Sequence, residues 1–189
     1  RSGCRRLVNV GTGWQHQSNA PSRPVNLYAA TKQAVEDVLA FYTDATCIRA
    51  VTLKLFDTYG PHDTRPKLFN MLQRASASGQ PFAMSKGEQL LDLVHVADVV
   101  NALLVAAERT ESEAAQPSEA FSVPARTRYT LREVVELYCS VTGRDVQVVW
   151  GGRPYRDREV MIPWAGDPLP GWRPQIALAD GLRTLLADE

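Results

Sequence analysis

The sequence is poor in cysteine and has no net charge. Its three cysteines, Cys4, Cys47 and Cys139, are widely spaced and form no Cys-x-x-Cys pair. This spacing argues against a disulfide framework and a zinc site, and it fits a reducing cytoplasm. The 21 basic and 21 acidic residues cancel, which removes the broad positive field that binding to nucleic acid or anionic membranes usually needs. We therefore expect no metal, nucleic-acid or membrane partner, and expect local charges to bind any anionic ligand.

Long apolar runs are missing as well. No run approaches the ~18 residues of a membrane span, and the first residues lead into a strand-like segment without a visible export signal. Because the chain opens without Met, we expect it to lack its true beginning. With 189 residues, 44% hydrophobic and 22% charged, its composition is that of an ordinary globular protein. This length suits one well-cored domain, or one domain with a small lobe attached.

The N-terminal third follows the order strand, helix, strand. Residues 6–10 form an apolar run that stops at the turn Gly11-Thr12-Gly13, and residues 48–56 form a second run. Between them, apolar residues recur at helical spacing over about 27–43. This order predicts a βαβ unit with parallel strands. Because parallel sheets bind ligands at the carboxyl ends of their strands, we expect a site at the glycine turn and at residues 57–61.

Shorter strands and helices follow. Strands are predicted at 82–84, 121–123 and 146–150, and helices at 67–77, 97–109, 130–141 and 176–187. An apolar run at 91–96 leads into the second of these helices. Three helix starts carry predicted caps, namely Asn26, Asp98 and the Ser/Thr-x-x-Glu box formed by Thr130 and Glu133.

A phenol and an ammonium lie four residues apart at the start of the first predicted helix. Tyr28 and Lys32 therefore share one helix face and can address one bound molecule. The pair could transfer a proton, but Tyr-x-x-x-Lys also arises by chance in pairs of half-exposed surface residues. A catalytic role for Tyr28 and Lys32 therefore needs support from other motifs in the sequence.

Several segments together resemble one family. The chain resembles the extended short-chain dehydrogenase/reductases of the NAD-dependent epimerase/dehydratase family, in particular the abequose-synthase-like 4-ketoreductases and epimerases of nucleotide-activated sugars. The matching segments, in the family's order, are Thr12, YAATK at 28–32, LFDTYGP at 55–61, GEQLLDLVHV at 87–96 with Asp98, and LPGWRP at 169–174. Each is moderately specific, and together they cover nearly all of the chain.

The resemblance implies an α/β fold. It would be the C-terminal part of a Rossmann-type doubly wound parallel sheet with a small α+β substrate-binding lobe. Residues 1–62 and about 93–126 would belong to the dinucleotide-binding domain, and about 63–92 and 127–189 to the lobe. The family's glycine-rich phosphate loop belongs to upstream strands, and this sequence contains no G-x-x-G-x-x-G. We therefore expect a C-terminal portion with half of the dinucleotide site.

The resemblance also assigns roles to individual residues. Tyr28 would be the acid/base, and Lys32 would supply the positive charge that a phenolate needs nearby and hold the nicotinamide ribose. Thr12 would orient the substrate oxygen. The expected cofactor is NAD or NADP, bound by Gly11, Tyr28, Lys32, Phe56 and Tyr59. The expected substrate is a nucleotide sugar, bound by Thr12, Gly13, Trp14 and Asp57, with its phosphates met by Arg65, Lys67, Arg153, Arg156 and Arg158.

Three departures from the family's pattern bear on the reaction and substrate. Dehydratases place an Asp-Glu pair after the threonine, where this chain has Gly13-Trp14, so reduction or epimerisation at C4 is favoured over dehydration. Trp14 offers an apolar wall for a deoxysugar, or plain core packing. Asp57 stands where the family usually has Asn, and Leu91 where it tends to have Arg.

Two other readings stay open. A catalytically idle dinucleotide- or sugar-nucleotide-binding relative would lack the phosphate loop natively, and a 4,6-dehydratase or decarboxylase would need an acid at the place of Gly13-Trp14.

By analogy with the family, we expect a homodimer through the helix at about 27–43.

Overall fold

Strands and helices alternate along most of the described chain. The computed structural model describes residues 3–112 and 115–186. The strands are β1 (Arg6–Thr12), β2 (Arg49–Leu55), β3 (Asp57–Tyr59), β4 (Phe82–Met84), β5 (Leu90–Leu91), β6 (Leu93–His95), β7 (Ser118–Val123), β8 (Tyr129–Thr130) and β9 (Val148–Trp150). The helices are α1 (Leu27–Ala45), α2 (Leu68–Ser78), α3 (Val96–Arg109), α4 (Leu131–Thr142) and α5 (Leu178–Thr184).

The largest sheet is parallel, with the strand order β1-β2-β7. Its register pairs Thr12 with Leu55 and Leu55 with Val123, so the three strands end together at one edge. The central strand β2 is covered on both faces, as its apolar composition predicts, and Val51 and Leu53 are 1% and 0% exposed. The predicted parallel βαβ unit is confirmed.

Helices cover both faces of this sheet. On one face, Val51 and Leu53 of β2 pack in one apolar cluster with Val99 and Ala102 of α3. On the opposite face lies α1, whose Glu36 binds the buried Lys54 of β2. Alternate residues of β2 thus face different helices, as the period of a strand requires.

A second apolar cluster joins α2, α4 and α5. Leu72, Val134 and Leu182 are fully buried in it. Near this cluster β4 pairs in parallel with β9, and β5 pairs antiparallel with β8. Tyr59 and Leu93, which the sequence assigns to the dinucleotide-binding domain, also belong to this cluster. The division of the chain into a domain and a lobe remains a prediction.

Two of the three predicted helix caps are confirmed. Asn26 accepts a hydrogen bond from the Ala29 amide at 2.9 Å, and Thr130 and Glu133 form the reciprocal capping box. The prediction for Asp98 is wrong, because the imidazole of His95 accepts from the Ala97 amide instead.

The carboxylate of Asp98 anchors the C-terminal segment. It is 4% exposed and accepts from the amides of Gln175 and Ile176, at 3.0 Å each. The two amides are 77 and 78 residues from Asp98 in the sequence. These hydrogen bonds therefore connect α3 to the segment that leads into α5.

The apolar run at 91–96 is divided in two at Asp92. β5 ends before this residue and pairs with β8, whereas β6 begins after it and pairs in parallel with β3. Asp92 is 1% exposed, and its carboxylate accepts from the Ala125 amide at 2.6 Å and from Arg128 Nε at 2.8 Å. Burial raises the pKa of the Asp92 carboxyl, and the two donors act against that rise.

Smaller differences concern the ends of elements. β3 lies in a segment for which the sequence predicts no strand, and β7 begins three residues before the predicted 121–123. The last helix, predicted at 176–187, is observed as α5 over Leu178–Thr184, and Ala187 lies outside the described residues. Within 3–112 and 115–186, no helix has the length and apolar character needed to cross a membrane.

Loss of the Asp92 carboxylate should destabilise the fold. We expect Asp92→Ala to lower the free energy of unfolding by about 3 kcal/mol, since it leaves the Arg128 guanidinium and the Ala125 amide without their buried acceptor. Asp180→Ala is the matched control, because Asp180 pairs with Arg183 at the surface, where the two side chains are 67% and 61% exposed. The control should change stability by less than about 1 kcal/mol. Urea denaturation followed by circular dichroism measures both, and equal losses would contradict the assignment.

Candidate active site

A cavity of about 920 Å³ lies beyond the carboxyl ends of the parallel strands. Its volume is that of a site for a ligand of nucleotide size. The wall is built from segments far apart in sequence. They are 13–14, 25–26, 56–64, 66–71, 89–93, 158–160, 163–164 and 185–186, with further residues of α2 and α4 and with Met84, Arg144 and Arg156.

Thr12 ends β1 directly before the cavity wall and is not itself among the wall residues. It is 9% exposed, and its hydroxyl accepts from the Trp14 amide at 3.3 Å, which starts the short 3₁₀ helix Gly13–Gln15. Gly13 and Trp14 line the cavity itself. A Cβ added at Gly13 would lie 2.6 Å from the Phe56 ring, so only glycine fits this position without a shift of that ring.

Tyr28 and Lys32 occupy the first turns of α1. The Tyr28 side chain is 54% exposed, and Lys32 Nζ lies 5.8 Å from the centroid of its ring. Neither residue lines the cavity, whose wall reaches Val25 and Asn26 just before the helix begins. The structure therefore brings the two predicted catalytic side chains together, outside the cavity wall.

Phe56 and Asp57 follow β2 directly and line the cavity. The Arg128 guanidinium lies 5.6 Å from the centroid of the Phe56 ring. Desolvation raises the pKa of the Asp57 carboxyl, and the positive charges of Lys67 and Arg156 act against this rise. Asp57 thus contributes a carboxylate to a cavity that also contains cations.

The five predicted phosphate-binding residues are placed differently from one another. Lys67, Arg156 and Arg158 line the cavity, and Arg158 donates to Gln17 Oε1 at 2.8 Å. Arg65 lines an adjoining open depression and binds Asp63 through two hydrogen bonds of 2.7 Å, which lower the pKa of the Asp63 carboxyl. Arg153 is exposed and is not among the residues of the cavity wall.

Gly11 and Tyr59 were predicted to bind a cofactor. A Cβ at Gly11 would lie 2.7 Å from Gln15 Oε1, so this position is closely packed beneath Thr12. Tyr59 is 5% exposed, and burial raises the pKa of its phenol. Its hydroxyl lies against Gly181 of α5, where a Cβ would be 2.1 Å away. The Tyr59 side chain is part of the wall that joins the sheet to α5.

Trp164 is a wall residue that the sequence did not identify. Its ring stacks on that of the buried His16, with centroids 4.1 Å apart and planes at 19°. Arg128 donates to the Trp164 carbonyl at 2.7 Å, so the ion pair with Asp92 also holds this part of the wall. The only signal in the sequence was the tryptophan itself, and its place in the wall depends on contacts that form in the fold.

No group of three or more His, Cys, Asp or Glu suited to holding a metal ion occurs among the described residues.

Comparison with known proteins shows similarity along most of the chain. The model of the NAD dependent epimerase/dehydratase family matches residues 1–123. CDP-abequose synthase of Yersinia pseudotuberculosis is 30% identical over 159 residues, which cover 84% of this chain and 54% of that protein. UDP-glucose 4-epimerase of Streptomyces lividans is 26% identical over 200 residues, which cover 93% of this chain and 60% of that protein. The chain thus spans little more than half the length of these relatives.

Solved structures confirm the fold. MoeE5 in complex with UDP-glucuronic acid and NAD matches with a TM-score of 0.81 and 26% identity, over 98% of this chain and 65% of MoeE5. The UDP-glucose 4-epimerase of Thermus thermophilus in complex with NAD matches with a TM-score of 0.78 and 22% identity. The match covers 97% of this chain and 63% of that epimerase. The Rossmann-type α/β fold expected from the sequence is therefore confirmed.

The cavity cations should bind a diphosphate. We expect Arg156→Gln to weaken binding of inorganic pyrophosphate about tenfold, because one charge-assisted hydrogen bond is lost. Arg153→Gln is the control, since Arg153 lies outside the cavity wall, and should leave the affinity unchanged. Isothermal titration calorimetry measures both, and equal weakening by the two substitutions would show that the anion binds elsewhere.

Proposed function

The chain belongs to the NAD-dependent epimerase/dehydratase family, and on this premise we propose that it is the catalytic part of an oxidoreductase or epimerase that acts at C4 of a nucleotide-activated sugar. The substrate class follows from the names of its relatives, which include CDP-abequose synthase and UDP-glucose 4-epimerase.

One observation carries the proposal. Thr12, at the end of β1, directly precedes two residues that line the same cavity as several cationic side chains. They include the predicted phosphate-binding residues Lys67, Arg156 and Arg158, and Arg74 and Arg144 also line the cavity. A hydroxyl, an apolar wall and clustered positive charge suit a ligand with a sugar at one end and a diphosphate at the other.

The proposed proton transfer uses Tyr28 and Lys32. The Lys32 ammonium lies 5.8 Å from the centroid of the Tyr28 ring, where its positive charge would stabilise negative charge that develops on the phenol oxygen during the transfer. Tyr28 would pass a proton to or from the sugar oxygen at C4, while the Thr12 hydroxyl would orient that oxygen by a hydrogen bond.

The residues around Lys32 fit the nicotinamide end of a dinucleotide. Within the described residues Lys32 is half-buried and pairs with no carboxylate, in contrast to Lys54, which is bound to Glu36. Its ammonium would hold the ribose hydroxyls, and the proposed cofactor site also includes Gly11, Phe56 and the buried Tyr59. The bound nicotinamide would supply hydride exchange at the sugar carbon. The family is NAD-dependent, and we propose NAD or NADP as the cofactor.

Gly13 and Trp14 support C4 chemistry without loss of water. Eliminating water needs an additional acid and base, and Gly13 has no room for a side chain beside Phe56. Trp14 presents an indole to the cavity, which suits packing against the apolar face of a deoxysugar.

A second candidate is binding without turnover. It is favoured by the position of Tyr28, which is 54% exposed and lies outside the cavity wall. The two candidates differ in whether Tyr28 takes part in turnover, which substitution of its phenol tests.

We also propose a homodimer through α1 and a location in the cytoplasm. Apolar side chains on α1 are exposed, with Leu27 at 81%, Phe41 at 66% and Val38 at 54%. Such a stripe supports association with a second copy. The cytoplasmic location rests on the sparse, widely spaced cysteines.

Replacement of the phenol tests the reaction. In the intact protein, Tyr28→Phe should lower turnover of nucleotide sugars at least about 100-fold, because the general acid/base is lost. Nucleotide affinity should stay within about twofold, since the phenol contacts no phosphate in this proposal. The assay supplies NAD or NADP with a panel of UDP-, CDP- and dTDP-sugars and follows products by mass and NMR.

Tyr42→Phe is the matched control for that test. Tyr42 is also on α1 and is 48% exposed, so its hydroxyl should be dispensable. Unchanged turnover in Tyr28→Phe would refute the proposed mechanism, and absence of turnover in the parent protein would favour binding alone.

A further inference from the structure

A buried chain of hydrogen bonds lies beneath Thr12. Gln15 is fully buried, and its Oε1 accepts from the Thr12 amide at 2.8 Å. Its Nε2 donates to Glu36 Oε1 at 2.7 Å and to Gln33 Oε1 at 2.9 Å. The amide group of Gln15 is therefore oriented by partners on both sides, and the end of β1 is joined to α1.

Lys54 completes this chain from β2. It is 2% exposed, and its Nζ donates to Glu36 Oε2 at 2.6 Å. Removing one partner from such a buried pair leaves an uncompensated charge, so the pair holds both side chains in one geometry. Each Glu36 oxygen has its own donor, one from Lys54 and one from Gln15.

Packing over Gly11 restricts the same three side chains. A Cβ at Gly11 would lie 2.7 Å from Gln15 Oε1, 2.8 Å from Glu36 Oε1 and 3.0 Å from Lys54 Cδ. Gly11 and Lys54 are also register partners in the sheet. The three polar side chains therefore meet directly over the backbone that precedes Thr12.

Glu36 is one turn beyond Lys32 and two beyond Tyr28 on α1, so it shares their side of the helix. The carboxylate that orients Gln15 therefore also ties this stretch of α1 to β2. A hydrogen-bonding group must be held within a fraction of an ångström to orient a reacting atom, and misplacement by about 1 Å can cost about 100-fold in rate.

We propose that Gln15, Glu36 and Lys54 are positioning residues that fix the Thr12 hydroxyl relative to Tyr28 and Lys32. This inference rests on the proposed function. The network contacts neither substrate nor cofactor in the proposal, and acts only by setting the distance between the end of β1 and the first turns of α1.

Gln15→Met tests the proposal, because Met has a similar volume and neither accepts from the Thr12 amide nor donates to Glu36. Measured in the intact protein, kcat should fall about 10- to 100-fold, with KM for the nucleotide sugar within about threefold. Gln147→Met, an exposed glutamine just before β9, is the control and should leave both constants unchanged. A kcat within twofold of the parent, together with lower stability, would show a purely structural network and overturn the proposal.

Gln15→Glu provides a second readout that does not depend on the first variant folding. The introduced carboxyl can still accept from the Thr12 amide, but its second oxygen faces Glu36 where an N–H donor stood. Lys54, His16 and Asp37 are the other charged or titratable groups nearby. One proton shared between the two carboxyls would restore the hydrogen bond. Its kcat, divided by that of the parent at each pH, should therefore rise as the pH falls. A ratio that is flat with pH would overturn the proposal.

The experiments distinguish failure of the positioning role from failure of the proposed function. An active parent with an unaffected Gln15→Met variant would overturn only the positioning role. A parent that turns over no nucleotide sugar would overturn the proposed function and this inference together.

Discussion

The parallel, in-register pairing of β1 with β2 is the constraint on which the candidate site depends. Because Thr12 pairs with Leu55, the hydroxyl at the end of one strand and the Phe56-Asp57 segment after the next reach the same edge of the sheet. A shift by one residue would turn Lys54 away from α1 and place it against the apolar cluster of α3. The register therefore sets both the layers of the fold and the position of the site.

Buried charges hold this edge together over long distances in sequence. Lys54 and Glu36 join β2 to α1 beneath Thr12, and Asp92 and Arg128 join the β5-β6 junction to the Trp164 segment. Such pairs add little net stability compared with apolar packing, but breaking one leaves a charge without its partner. They favour one arrangement of the cavity wall, which is what a site that must orient a substrate requires.

Local patterns in the sequence predicted many of the helices and strands. They could not predict contacts between residues that are far apart in the sequence. Spacing and caps located α1 and α4, because helix periodicity and the Asn26 and Thr130 caps depend on neighbouring residues. The division at Asp92 was missed, since the cause is a salt bridge to Arg128, 36 residues away. The same holds for the wall residue Trp164, which depends on its stacking with His16. Gln15 gave no signal at all, because its role comes from three elements that meet only in the fold.

A crystal structure of the intact protein with NAD and a nucleotide sugar tests the central claim most directly, namely that the sugar and the diphosphate share this cavity. The account predicts the C4 oxygen within hydrogen-bonding distance of Thr12 Oγ1 and the Tyr28 hydroxyl, with the diphosphate on Lys67, Arg156 or Arg158. A sugar bound away from Thr12, or a diphosphate held by Arg65 and Arg153 instead, would contradict it.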